Sequence, residues 1–216
     1  MRYLVRGCEI RSENAAKPTS QTGDWLLKWI KDLCPQSDGL DLGCGKLRYT
    51  IPMSKRIRSV TAVDSRVQVD REQVISGERS TVRRYVARHL QNVCVNAVED
   101  KQWQEVRFDV VLCSNVLSAI PVREVRNELV LSAHRGLKRH GIFLLTTQFR
   151  NSYFSAWLTD SRVTKYCDGF LVKGAKGASF YALLDSRALV TICRRAGFSI
   201  IRSGHSKEVA FVIATR

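Results

Sequence analysis

The sequence predicts an α/β protein: a seven-stranded, mostly parallel sheet with helices on both faces and an antiparallel hairpin at its C-terminal edge. Three observations predict it. Short apolar runs alternate with stretches whose apolar residues recur at helical spacing. Glycines punctuate the helix ends, as at Gly141 and Gly197. The last two apolar runs, 198–203 and 208–214, are separated only by a short polar link.

The elements follow in order. Residues 1–20 are polar and irregular and read as a lead-in. Trp25, Leu26, Trp29, Ile30 and Leu33 then mark a helix over 21–34, begun by Gln21 or Thr22 and closed by Pro35. The strand Gly39-Leu40-Asp41-Leu42 runs into Gly43-Cys44-Gly45, and a helical turn around 48–56 tolerates Pro52 in its first turn. A second strand over 59–63 ends at Asp64, 66–90 reads as helix, and Val93-Cys94-Val95 as the third strand. The fourth strand is Phe108-Asp109-Val110-Val111-Leu112-Cys113. A helix from Pro121 to about Leu137 precedes a fifth strand over 142–146. Residues 148–184 break the rhythm, and a helix over 186–196 restores it.

With 216 residues the chain fits one domain, 1–216, with 1–38 as lead-in and helix and 148–184 as an insertion expected to cover the substrate. No stretch approaches the roughly 20 apolar residues of a membrane span, and the N-terminus lacks the long apolar core of a signal peptide. Seven cysteines, Cys8, Cys34, Cys44, Cys94, Cys113, Cys167 and Cys193, are odd in number, widely spaced and without a CxxC pair. That pattern predicts reduced thiols in a cytoplasmic protein. The net charge of +15 suits a polyanionic partner, nucleic acid included, and equally a basic surface without pattern. The excess is +3 in each of 39–64, 65–91 and 148–184 and +4 in 185–216, so no single arm carries it.

The chemistry gathers at the first strand's end. Glycines in Gly43-Cys44-Gly45 let the backbone turn sharply and approach a ligand. Nineteen residues beyond Gly45, Asp64 closes the second strand, where an acceptor-only carboxylate suits two ribose hydroxyls. A dinucleotide fingerprint would need a third glycine where Arg48 stands, and Gly169 to Gly177 lacks the GK[ST] ending of a P-loop.

Leu40-Asp41-Leu42-Gly43-Cys44-Gly45, Val63-Asp64 and the run from Phe108 through Ser114-Asn115-Val116-Leu117 resemble motifs of the class I, Rossmann-like S-adenosylmethionine (SAM)-dependent methyltransferases. The Gly141 stop and the Ala196-Gly197-Phe198 ending add to the likeness, which covers 22–147 and 185–216. The resemblance implies SAM as methyl donor, with Asp41, Gly43, Cys44 and Gly45 along its methionine end. It implies Asp64 and Ser65 at the ribose, Asn96 and Ala97 flanking the adenine, and Asn115 and Val116 facing the transfer cleft. Leu47 departs from the family's frequent glycine.

Methyl transfer is mainly alignment, so catalytic groups leave little trace in sequence. Lys165, Tyr166, Asp168 and Tyr181 of the insertion are candidates for positioning an acceptor, and packing residues by the plainer reading. Aromatics mixed with lysines there suit stacking on a base, and Gly174-Ala175-Lys176-Gly177 suits a hairpin turn. His134, His140 and His205 lack ligand spacing, and no metal is assigned. No Pro-Pro-aromatic follows Asn115 and no Pro-Cys dipeptide occurs, which disfavours the commonest DNA-base methylations. The expected acceptor is a small or medium-sized molecule; the alternatives are RNA or another nucleic acid or phosphorylated substrate, and a catalytically silent binding module.

Overall fold

The computed structural model describes residues 2–149, 159–174, 177–207 and 209–216. Strands β1 (Arg2–Val5) and β2 (Cys8–Arg11) form a hairpin whose turn places Arg6 and Gly7 at φ 47° and 74°. Helix α1 (Asp24–Lys31) buries Leu26 and Ile30. Strand β3 (Asp38–Leu42), helix α2 (Thr50–Ser54) and strand β4 (Ser59–Asp64) follow. Then come α3 (Arg66–Asp70), a hairpin of β5 (Gln73–Ile75) and β6 (Glu78–Ser80), α4 (Val82–His89) and β7 (Val93–Ala97). Strand β8 (Phe108–Ser114), helix α5 (Arg123–Gly136) and strand β9 (Leu137–Gln148) complete the central unit. Three antiparallel strands, β10 (Val163–Tyr166), β11 (Gly169–Gly174) and β12 (Gly177–Ala182), precede α6 (Ser186–Arg195), β13 (Ser199–Ser206) and β14 (Val209–Thr215).

The main sheet has seven strands in the order β13-β14-β9-β8-β3-β4-β7. Strands β7, β4, β3, β8 and β9 pair in parallel, and β14 runs antiparallel to both β9 and β13. The expected sheet and C-terminal hairpin are both present. Because side chains alternate along a strand, β8 faces two cores. Val110 and Leu112 pack with Leu26, Ile30 and Met53 on one face. Val111 and Cys113 pack with Val130, Ala133, Leu189 and Cys193 of α5 and α6 on the other. Among the described residues no helix is long and apolar enough to cross a membrane.

Two expectations change. The helix read over 66–90 is two short helices around a hairpin, because Ser76 and Gly77 take φ 47° and 88°, the left-handed pair that twists strands into a tight turn. The lead-in over 1–20 is also structured. Ile10 of β2 pairs with Ala178 of β12 in parallel, making a second sheet of order β1-β2-β12-β11-β10. Thus the hairpin β1–β2 and the strands β10–β12, distant in sequence, form one layer. Register pairs Gly174 with Gly177, as the hairpin reading expects; the turn residues Ala175 and Lys176, like 150–158, lie outside the described residues.

This second sheet buries Ile10, Leu171, Phe180 and Ala182 into the same core as Leu42, Val63 and Leu117. It is also fastened by charge. Arg126 of α5, 1% exposed, donates from Nε to the Ile120 carbonyl (2.6 Å) and from Nη1 and Nη2 to the Asp168 carboxylate (2.7 and 3.1 Å). Its guanidinium also lies 5.4 Å from the Phe180 ring. Asp168→Ala strands that buried cation, and an uncompensated buried charge costs about 3 kcal/mol. Urea unfolding of this variant should show a loss of that order; a loss below about 1 kcal/mol would rule out the clamp.

Candidate active site

The carboxyl ends of β3, β4 and β8 open onto one cavity. Its floor is the loop after β3. Amides of Gly43 and Cys44 donate to the Val63 carbonyl at the end of β4 (2.7 and 3.0 Å), folding the loop against the neighbouring strand. Gly43 has φ 87°, and a Cβ there would stand 2.1 Å from Val116 Cγ2, so no other residue fits. The Gly45 amide donates to Asp64 Oδ2 (2.8 Å), and the Ser65 amide to Asp64 Oδ1 (2.7 Å). Burial pushes the Asp64 carboxyl upward, and these two amides oppose the rise.

Asp41 lies beneath the loop, 2% exposed, and accepts a 2.5 Å hydrogen bond from Thr50 Oγ1. Burial raises its pKa to about 6 against the Thr50 bond, with the nearby Asp64 adding to the rise and Arg48 opposing it. Leu47 answers the departure noted in the sequence. It takes φ 65°, the left-handed conformation that glycine adopts freely, and buries its side chain completely beside Val69, Val82 and Val86. The loop keeps a glycine-like turn, and apolar burial offsets the strain of a leucine there. Asn115, after β8, is likewise left-handed at φ 60°, held by its amide to the Thr146 carbonyl (2.8 Å).

Of the residues singled out in the sequence, Asp41, Gly43, Cys44, Gly45, Asp64, Ser65, Asn115 and Val116 line this one cavity. Asn96 and Ala97 do not: Asn96 turns its amide toward Cys94 Sγ (3.5 Å), Ala97 is buried in the core, and Val98 reaches the lining instead. None of the four positioning candidates borders it. Asp168 is engaged by Arg126, Tyr166 lies under Arg6, Lys165 is exposed on β10, and Tyr181 sits on β12 outside the lining. Among the described residues no cluster of His, Cys, Asp or Glu is placed to hold a metal ion.

Sequence reasoning missed part of the lining. Tyr3 of β1 and Glu13, Ala15 and Lys17 beyond β2 line the cavity, as does Gln68 of α3. The apolar alternation around Arg6-Gly7 was the available signal for a hairpin; nothing local could show that its partner is β12. Burial raises the Tyr3 hydroxyl to about 12, keeping it a neutral donor. Among the described residues, three buried oxygens on lining residues have no protein partner: Glu13 Oε2, Gln68 Oε1 and Asn115 Oδ1. Orphaned acceptors beside a cavity call for a ligand rich in donors. The ammonium, ribose hydroxyls and adenine amino group of SAM are such donors, so the residues fit that cofactor.

The profile of the family described as "Methyltransferase domain" matches residues 40–145, from β3 into β9. The chain is 38% identical to Escherichia coli (strain K12) uncharacterized protein YmfD over 212 residues, 98% of this chain and 95% of that one. The PH0226 protein of Pyrococcus horikoshii OT3 shares the fold with TM-score 0.64 at 15% identity, covering 88% of this chain and 85% of its own. So does the Burkholderia thailandensis 1,6-didemethyltoxoflavin-N1-methyltransferase, bound to 1,6-didemethyltoxoflavin and S-adenosylhomocysteine, with TM-score 0.56, 17% identity and coverage of 84% and 71%. An O-methyltransferase family protein of Burkholderia thailandensis matches with TM-score 0.60 and 17% identity over 88% of this chain, which spans 55% of that protein. The glycine loop, the acid closing the next strand, the sheet order and these matches agree: the chain belongs to the class I SAM-dependent methyltransferases and uses SAM as its methyl donor.

Proposed function

We propose that the enzyme methylates a small or medium-sized acceptor held beside SAM in this single cavity, covered by the second sheet. The observation that carries the reading is the part of the lining outside the glycine loop. Ala119 and Ile120 after β8, Val125 and Leu129 of α5, and Tyr3 of β1 make it apolar, with one phenol as polar handle. A pocket of that character takes a compact, largely uncharged ligand. The lining cations are Lys17, Lys46 and Arg48. Lys46 and Arg48 belong to the glycine-loop segment, and Ala16 beside Lys17 packs 3.5 Å from where a Gly45 Cβ would be. A phosphorylated acceptor would find no charge partner on the apolar wall. The seven free cysteines support a reducing, cytoplasmic setting.

The same geometry supports assigning Asp64 and Ser65 to the ribose, Gln68 and Val98 to the adenosine side, and Asp41, Gly43, Cys44 and Gly45 to the methionine end. Asn115 and Val116 then border the transfer site. SAM, when bound, would supply a methyl group activated as a sulfonium, with the neutral thioether as leaving group. The chain's part is alignment and exclusion of water. The Gly43–Val116 contact fixes the loop after β8 against the loop after β3, so cofactor and acceptor walls keep one spacing.

Incubation with radiolabelled SAM and a library of small heterocycles and phenols should label a small molecule; label entering only RNA would defeat this reading. Asp64→Ala should weaken SAM by about 1–3 kcal/mol in calorimetry, the worth of hydrogen bonds to a charged group. An unchanged affinity removes Asp64 from the ribose. Because empty Asp41 holds its proton up to about pH 6 and a cationic ligand favours the carboxylate, binding should release a proton. Affinity should therefore rise with pH, by up to about tenfold per unit below 6, and level off above about 7. The empty protein should show the opposite trend: a raised carboxyl pKa lets stability decline as pH climbs from about 4 to 6. SAM affinity that stays flat from about pH 5 to 8 contradicts the Asp41 assignment.

A further inference from the structure

Helices α5 and α6 run back along the sheet and finish together at the end opposite the cavity. Arg135 lies in the last turn of α5, and Arg194 and Arg195 in the last turn of α6. Arg139 follows near the start of β9, and Arg216 lies just past β14, whose antiparallel course returns to the same end. Contacts join these pieces into one surface. Arg216 Nη1 donates to the carbonyls of Leu137 (2.6 Å) and Arg135 (3.4 Å). A Cβ at Gly197, two residues past Arg195, would lie 3.2 Å from the His134 ring.

All five arginines are exposed, and among the described residues none of them forms an ion pair. Of the carboxylates at this end of the sheet, exposed Asp32 and Glu105 form no ion pair among the described residues, and Asp38 and Asp109 are already engaged. Asp38 takes Arg58 and Ser59, and Asp109 takes Lys138 (2.9 Å) and the Asp38 amide (2.8 Å). His134 registers the crowding: burial lowers its pKa, and Arg216 and Arg135 press it lower still.

Soluble surfaces usually intersperse charges of both signs. Five unpaired guanidinium groups around two helix ends instead make a field that an external polyanion relieves. Every cation of the five is arginine, whose planar fork meets phosphate oxygens two at a time. No aromatic side chain is among the exposed large hydrophobics of the described residues, so the aromatic anchors of a membrane interface are missing. We propose that this face, formed by the C-terminal ends of α5 and α6 with Arg139 and Arg216, docks the phosphate backbone of a nucleic acid, apart from the methyl-transfer cavity.

The test is a titration of the full chain into a fluorescent DNA duplex of about 20 base pairs, and into RNA of equal length, at several salt concentrations. Engagement of five phosphates gives a slope of about −4 to −5 for log affinity against log salt on the duplex. Arg194→Glu with Arg195→Glu should make the slope shallower by about 2 and weaken binding at least about tenfold. SAM titration of that double variant should match the parent, because both side chains are exposed and distant from the cavity, and its thermal unfolding should stay cooperative with only the small loss that carboxylates at a helix C-terminus cause. Asp64→Ala should bind the nucleic acids like the parent, which separates this proposal from the reading of the cavity. Three results would overturn it: no binding at about 50 mM salt, binding that the double variant leaves unchanged, or tighter binding to phosphatidylserine vesicles than to either nucleic acid.

Discussion

The hydrogen bond from the Gly45 amide to the Asp64 carboxylate is the contact on which the site depends. It joins the ends of two neighbouring parallel strands where the backbone leaves the sheet. With the Gly43 and Cys44 amides on the Val63 carbonyl, it converts a flexible glycine stretch into a fixed floor. Val116 then seats against Gly43, so the loop after a third strand takes its position from the first. A side chain at Gly43 would separate these loops, and loss of the Asp64 carboxylate would free the floor from its wall. Preorganisation here is a property of backbone amides, which need no side-chain ordering when a ligand arrives.

How much of this was legible follows from what each feature requires. The central sheet announced itself through runs such as Phe108 to Cys113, because a strand covered on both faces must be apolar nearly throughout. The glycine floor and Asp64 could be read because their spacing is local and their residue types are nearly obligatory. The 66–90 region misled because helical spacing outweighed the Ser76-Gly77 turn, a two-residue signal inside a long segment. Lys165, Tyr166, Asp168 and Tyr181 attracted notice as polar and aromatic groups near an expected cover. Only coordinates show that Asp168 belongs to a clamp on Arg126, a residue inside a helix with nothing in its neighbourhood to mark it.

Leu47 gives the sharper lesson. A missing glycine suggested an altered loop, yet the left-handed turn persists with leucine in it. Local propensity was overridden by tertiary packing, since a fully buried side chain gains more than the turn loses. Residue type reports which conformation is easy, and the surrounding core decides which one is occupied.

The parallel ladder between Ile10 and Ala178 carries a consequence for biosynthesis. The hairpin that supplies Tyr3 leaves the ribosome well over a hundred residues before β12, the strand it must pair with. A nascent chain can assemble the glycine floor once β3, β4 and β8 are available, long before the roof exists. The roof over the cosubstrate is thereby deferred until β12 has been made, and a polypeptide that stops short of it has no closed chamber.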